Sequence, residues 1–463
     1  MRKAILLILW WVMSVQAQDI FELNERLGRG VNFGNALEAP SEGAWGMTLE
    51  TSFFDLVKEA GFDTIRLPVS WTTHASKETP YTIDAAYIDR VQWAVDEATK
   101  RDLNIIVNIH HYDELNKDPV AEEERYLALW GQIAERFKDY PKSVYFELLN
   151  EPHDAFNSNA ELWNNLLVKA LNVVRKTNPD RAVIIGPTNW NAISSLSGLV
   201  LPDDPNIIVT VHFYDPFEFT HQGAEWTNPS PPVGTLWTGG NRRFSPRWDN
   251  KFADTEAVFV KEAASDKGNE QEYLQVKFAG AESAYRLHSY MKPKGFTHLA
   301  LKTTTSAKVR VVCNETEGID VTTTANTETL VDLSSCLSEG LSDFELQNAS
   351  TEAQSFLIET LEFRGEGKVL VPFDDQGTAI REKFDSALKW AQQHNRPLFV
   401  GEFGAYDKAD YDSRVRWTKF VKEELEKRGL PWAYWEFGAG FGIYDREAKA
   451  WREELKNALL ADE

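Results

Sequence analysis

Eight short apolar runs, each closing on polar residues, constrain the fold of this chain more than any other feature. They are Val31 to Asn35, Thr64 to Val69, Asn104 to His110, Val144 to Leu149, Ala182 to Gly186, Ile207 to His212, Pro397 to Gly401 and Trp432 to Glu436, and they read as strands. Helical patterns separate them. Leu162, Trp163, Leu166, Leu167, Ala170, Leu171 and Val174 mark one apolar face, and Gly61, after Leu56-Val57-Lys58-Glu59-Ala60, reads as a helix stop. Such alternation implies parallel strands joined by crossovers, which either a (β/α)8 TIM barrel or an open doubly wound sheet provides. The polar residues favour the barrel. Arg66, His110, His111, Asn150, Glu151, His212, Tyr214, Glu402, Trp435 and Glu436 all fall near C-terminal strand ends, and a barrel gathers those ends around one mouth.

The alternation stops between about Gly239 and Leu370. Strand-like pieces at Tyr273 to Phe278, His298 to Thr303, Lys308 to Cys313, Thr329 to Leu333 and Phe356 to Phe363 follow one another there without helical crossovers, which reads as an inserted all-β, sandwich-like domain. The amphipathic run Ile380 to Trp390 restores the pattern. The expected organisation is a signal peptide at 1–17, barrel segments at 18–240 and 371–463, and the insert at 241–370. Two readings of the insert stand side by side, a binding module and a structural lid. Its candidate surface aromatics are Trp248, Tyr273, Tyr285, Tyr290 and Phe296, with Trp237 and Trp248 preferred as contacts.

Met1-Arg2-Lys3 precedes an apolar stretch, Ala4 to Val12, that is too short to span a bilayer, and Val15-Gln16-Ala17 suits cleavage. This reads as a secretory signal, so the expected location is secreted or periplasmic. The formal charge of -22, from 71 acidic against 49 basic residues, would repel nucleic acid and anionic membranes and leaves a neutral partner. Cys313 and Cys336 are the only cysteines, too few for a Cys-rich zinc site, and in an oxidising compartment they are disulfide candidates.

Chemistry is carried by two glutamates, Glu151 in Asn150-Glu151-Pro152 and Glu402 in Gly401-Glu402-Phe403-Gly404. Each sits where a strand-like run ends, a place where the sheet fixes a carboxylate without burying it. Such placement suits acid/base or nucleophilic work. Asn150 can donate to a substrate hydroxyl, and Arg66 with Tyr214 can keep Glu402 ionised by charge and hydrogen bonding. A zinc reading of His110 and His111 is disfavoured, because adjacent strand residues face opposite ways and no further ligand cluster is evident. No cofactor or metal is expected.

Arg66, His110-His111-Tyr112, Asn150-Glu151-Pro152, Val211-His212-Phe213-Tyr214, Gly401-Glu402-Phe403-Gly404 and Trp435-Glu436-Phe437 occur in an order and spacing that resembles glycoside hydrolase family 5. Within it, Val31 to Glu38 and Phe217 to Trp226 look like bacterial endoglucanases with mannanase side activity. The resemblance implies a retaining endo-β-1,4-glucanase, or alternatively a β-mannanase or xyloglucan-active enzyme, acting on a β-1,4-linked polysaccharide through a covalent glycosyl-enzyme. It makes Glu151 the acid/base and Glu402 the nucleophile. Asn150 would bind the sugar 2-hydroxyl, while His212 and Tyr214 would orient acid and nucleophile. Trp435 would be the platform at the cleavage point, Asn35, Glu38, His110 and His111 glycone contacts, and Trp226 a platform toward the leaving group. A monomer is expected. Pro187-Thr188-Asn189-Trp190-Asn191 and the long insert depart from the resembled pattern. Beside the cleft that the resemblance implies, the binding reading of the insert is a carbohydrate-binding module whose aromatic rings stack on sugar.

Overall fold

The computed structural model describes residues 20–235, 237, 245–246, 255–263, 270–281, 283–288, 294–337, 339–365, 368–370 and 376–461. The segment read as a signal, together with Trp248 and Tyr290, lies outside them. The chain divides into two compact units, one of residues up to 236 with those from 381 onward, the other Trp237–Ile380.

The first unit is a closed barrel of eight parallel strands: β1 (Arg29–Asn32), β2 (Thr64–Leu67), β3 (Asn104–Asn108), β4 (Val144–Glu147), β5 (Val183–Ile185), β6 (Ile207–Phe213), β7 (Leu398–Phe403) and β8 (Trp432–Tyr434). Each pairs with its sequence neighbour, and β8 closes on β1 through Arg29 opposite Trp432. All eight apolar runs are therefore strands, and closure excludes the open sheet.

Because strand side chains alternate, every second residue points into the barrel. Ile106, Tyr145, Ile184, Ile208, Phe399 and Ala433 meet there as an apolar layer. Helical residues 20–27 add Ile20, Leu23 and Leu27 to that layer. They are fixed by Asn24 Nδ2 donating to Leu398 O at 3.1 Å and Tyr145 Oη donating to Leu23 O at 2.8 Å. Inward positions nearer the C-terminal ends carry polar groups, Asn32, Arg66, Asn108, Glu147 and, beyond Thr210 on β6, His212, all buried. The barrel thus has an apolar floor and a polar upper layer.

The outer helices follow the apolar stripes. Helix Ala160–Arg175 starts on Asn159, whose side chain accepts from Glu161 N–H, and buries Trp163, Leu166, Leu167, Ala170, Leu171 and Val174. Fully burying each of the larger of these contributes about 1.5–3 kcal/mol, so Leu167→Ala would cost about 2–5 kcal/mol through the cavity it leaves. Helix Thr51–Ala60 ends at Gly61, which takes φ 96°, a left-handed value that glycine adopts without a Cβ penalty.

The second unit is a β-sandwich. One sheet runs Ile319–Thr322, Lys308–Cys313, Asp343–Asn348, Ala284–His288, Ser245–Pro246, and the other Glu328–Asp332, His298–Thr303, Gln354–Gly365, Glu270–Phe278, Thr255–Ala263. Both contribute to one core, with Leu287, Val311 and Phe344 from the first and Val276, Leu299 and Phe363 from the second. Cys313 and Cys336 are joined in a disulfide with Cα atoms 6.0 Å apart.

Several aromatic candidates are corrected here. Tyr285 and Phe296 belong to the sandwich core, and Trp237 is fully buried. A position in sequence cannot tell a ring that stacks on sugar from one that fills a core, and in these three burial wins.

Candidate active site

At the C-terminal mouth of the barrel lies a cleft of about 630 Å³. Of the residues singled out from sequence, Asn35, His110, His111, Asn150, Glu151, Tyr214, Trp226, Glu402 and Trp435 line it. Glu38, Arg66 and His212 do not line it and are buried.

Glu402 stands inside β7 and is 4% exposed, contrary to the expectation of a carboxylate beyond the strand and outside the sheet. The cause is a β-bulge. Val400 pairs with Val211, but Glu402 pairs with His212, so Gly401 is an extra residue in the ladder. Without that bulge, alternation from Phe399 would aim residue 401 inward; with it, Glu402 takes the inward direction alongside His212. Gly401 has no room for a side chain, since a Cβ there would meet Thr210 Oγ1 at 2.7 Å.

Arg66 rises beneath the carboxylate from β2. Its Nη1 donates to Glu402 Oε1 at 2.6 Å and to Asn32 Oδ1 at 2.9 Å, and its Nη2 donates to Asn150 Oδ1 at 2.7 Å. Nε and Nη2 also grip Glu147 at 2.7 and 2.8 Å in a bidentate pair. Tyr214 Oη donates to the other oxygen of Glu402, Oε2, at 2.8 Å. Glu402 is thus held at both oxygens by donors, which favours its charged form.

Glu151 follows β4 in a left-handed backbone conformation, φ 50°, and its side chain keeps 24% of its exposure. Its Oε1 lies 2.7 Å from His212 Nδ1, which is 3.5 Å from Glu402 Oε2. Burial raises the Glu151 carboxyl to about 7, against the opposing pull of Arg66 and His153. Burial also raises Glu402, opposed by His212, Arg66 and the Tyr214 hydroxyl. His212 is pushed down to about 4, chiefly by burial, and stays neutral near pH 7. One oxygen of each glutamate and a ring nitrogen of His212 lie within 4.8 Å of one another. That spacing would admit a metal ion, yet the Arg66 guanidinium already supplies positive charge at Glu402.

The surrounding surface is aromatic and polar. The Trp435 ring lies parallel to His110, centroids 5.6 Å apart at 7°, and Gly34 leaves it space, since a Cβ there would meet its ring at 3.0 Å. His110 and His111 both line the cleft with rings 4.7 Å apart. The argument from opposite facing does not hold for them, because β3 ends at Asn108 and both lie in the loop beyond. Trp45 and Trp226 are 45% and 59% exposed in the cleft. Glu38 is corrected from contact to support: its carboxylate accepts from the N–H groups of Asn35 and Ala36, and holds the loop that presents Asn35.

Sequence reasoning gave no role to Glu147, Asn191, His221, Tyr406 or Trp190. Glu147 had a signal, an acid inside an apolar strand run, which must find a counter-charge when buried. Trp190 is 48% exposed, lines the cleft and stacks on His153 at 5.2 Å and 11°.

The sequence model of the cellulase family, glycosyl hydrolase family 5, matches residues 28–323 and 348–440. Endoglucanase H of Acetivibrio thermocellus is 43% identical over 209 residues, 45% of this chain and 23% of that protein. Endoglucanase B of Clostridium cellulovorans is 34% identical over 43% of this chain and 50% of its own length. The match therefore spans about a quarter to a half of these curated relatives. Among solved structures, an endoglucanase from the hyperthermophilic Thermotoga maritima is 35% identical, with a TM-score of 0.63 over 95% of this chain and 99% of its own.

Proposed function

The chain belongs to the cellulase family, glycosyl hydrolase family 5, and from that premise we propose that it is a retaining endo-β-1,4-glucanase. One observation carries the reading. Carboxylate oxygens of Glu151 and Glu402 lie within 4.8 Å, the close spacing of double displacement; inverting enzymes keep their carboxyls further apart to seat a water. In the first step Glu402 attacks the anomeric carbon while Glu151 gives its proton to the departing glycosidic oxygen, leaving a glycosyl ester on Glu402. In the second, Glu151 takes a proton from water, whose oxygen attacks the same carbon and frees Glu402.

The polar layer assists both steps. Arg66 and Tyr214 keep Glu402 charged before attack, and Asn150, anchored on Arg66, presents its amide to the sugar 2-hydroxyl. Trp435, Trp45, Trp190 and Trp226 offer rings for stacking sugar faces, and a neutral polysaccharide suits the chain's negative charge. We further propose a secreted or periplasmic monomer carrying the sandwich as an insert in the loop after β6.

The test is incubation with barley β-glucan and carboxymethylcellulose. A fast drop in viscosity relative to reducing ends, with β-anomeric products first by NMR, is expected. A second reading, mannan cleavage, is supported by the Thermotoga maritima enzyme, 34% identical, having been solved with a mannotriose substrate. Glucomannan digestion followed by linkage analysis decides it.

A further inference from the structure

Asn189, Trp190 and Asn191 all take left-handed backbone conformations, with φ of 58°, 57° and 57°. Three such residues in a row are costly for L-amino acids and persist only where surrounding structure imposes them. Here it does. Trp190 N–H donates to Pro152 O at 3.3 Å, Asn189 N–H donates to Asn157 Oδ1 at 2.6 Å, and Ala192 forms a parallel bridge with His212. The loop delivers the Asn191 side chain, wholly buried, into space left by Gly186. A Cβ on Gly186 would meet the Asn191 amide oxygen at 2.1 Å. From there Asn191 Nδ2 reaches to 3.2 Å from His212 Nε2.

We infer that Asn191 is a positioning residue that fixes the tautomer of His212, keeping the imidazole proton on Nδ1, where it faces Glu151. This rests on the reading of Glu151 as acid/base. With the proton on Nδ1, Nε2 is the accepting nitrogen, and the carboxamide answers it through Nδ2, a group that only donates. The other side of the ring agrees: Nδ1 points at two carboxylates, 2.7 Å from Glu151 and 3.5 Å from Glu402, where a lone pair would be repelled and an N–H is welcome. Donation from Nδ1 to Oε1 engages that oxygen of Glu151 and leaves Oε2 to carry the proton for the leaving group. The reverse tautomer would accept the Glu151 proton at Nδ1 and withhold it from substrate. Arg66, Glu147, Glu402, His110 and His153 also act on His212 or Glu151, but among the described residues none of these five donates to Nε2.

The experiment combines histidine-selective 15N NMR with kinetics on the full chain. In the parent near pH 6, His212, assigned by its disappearance in His212→Gln, should show a protonated Nδ1 and a bare Nε2; a protonated Nε2 overturns the proposal without any variant needing to fold. Asn191→Leu, close in size, removes the donor and should populate the Nε2–H form. Loss of a hydrogen bond between neutral groups predicts a fall in kcat on β-glucan of roughly two- to tenfold, with KM little changed. Activated aryl cellobiosides should lose far less. The alkaline limb should move to higher pH, because a bare Nδ1 favours protonated Glu151. Equal losses on both substrate types with an unmoved limb would overturn the proposal. The tautomer readout needs no turnover, so a parent that fails to cut β-glycans sinks the glucanase reading separately.

Discussion

Arg66 Nη1 donates to Glu402 Oε1 at 2.6 Å with both side chains nearly sealed from solvent, 0% and 6% exposed. A guanidinium placed so deep is tolerable only because Glu147 takes its other edge and Asn32 and Asn150 accept from it. The pair therefore links stability to chemistry, since the cation that lets the barrel interior hold Glu147 is also the one that favours ionised Glu402.

Removing that cation should cost on both counts. Arg66→Met leaves Glu147 and Glu402 buried without their counter-charge, a loss of about 3–5 kcal/mol, seen as a lower urea midpoint. Turnover should collapse with it. Arg66→Lys keeps charge but not the two-edged grip, and should fall between the parent and Met in both measurements. A lysine variant with the parent's midpoint and kcat would show that charge alone suffices.

The two glutamates should separate by substrate. Glu402→Ala is expected to abolish turnover, with azide restoring part of it by occupying the space of the lost carboxylate. Glu151→Ala should spare aryl glycosides whose leaving group needs no proton, and azide should enter at the second step. If both variants lose all substrates alike and azide rescues neither, the roles are wrongly assigned.

Acidity makes a further prediction in which the sign runs against the usual carboxylate behaviour. Glu38, Glu151 and Glu436 are raised by burial to about 8, 7 and 7 from an ordinary 4.5. Between 4.5 and those values the folded chain binds more protons than the unfolded one, so their contribution is full below 4.5 and is lost as pH rises through 7 to 8. The buried His110, His212 and His221, held below their ordinary 6.5, act in the opposite sense at lower pH, so denaturant midpoints should fall once the pH passes about 6.5 and continue falling to pH 8. The kcat/KM profile should be a bell whose upper limb lies near 7, set by Glu151. Midpoints that climb over the same interval would mean these carboxyls ionise in the folded state without penalty.

The barrel was legible because each strand is a dense apolar run, and the mouth was legible because Arg66, Glu151 and Glu402 break those runs at their ends. What stayed hidden depends on non-local geometry. The bulge at Gly401 turns Glu402 inward, and a period-two reading cannot place it, although a glycine within a strand is its usual mark. Asn191 reaches His212 only because a left-handed loop folds back over Gly186. In the insert, Asp343–Asn348 is hard to read as a strand because its alternation has only Phe344 and Leu346 as large apolar members, and Thr255–Ala263 because Glu256, Lys261 and Glu262 flank a short apolar run. Tyr285 and Phe296 read as surface rings from sequence, since nothing local marks a core that two sheets build between them.

That separate core supports the last prediction. Cys313 and Cys336, 23 residues apart, both sit in the apolar interior of the sandwich, and by the chain-entropy estimate their bond contributes about 3 kcal/mol. Among the described residues, none of those lining the cleft belongs to that unit. Reduction, or Cys313→Ser with Cys336→Ser, should lower one calorimetric transition and leave another unmoved, while hydrolysis of short aryl cellobiosides continues at the parent rate. Replacing about Arg242 to Val369 by a short Gly/Ser linker should likewise leave a folded barrel that cuts the same substrates. Polymer kinetics then decide what the insert does: a raised KM with kcat preserved on β-glucan would mark it as a source of binding energy. An unchanged KM is the result expected if the burial of Trp237, Tyr285 and Phe296 is representative of its aromatic rings.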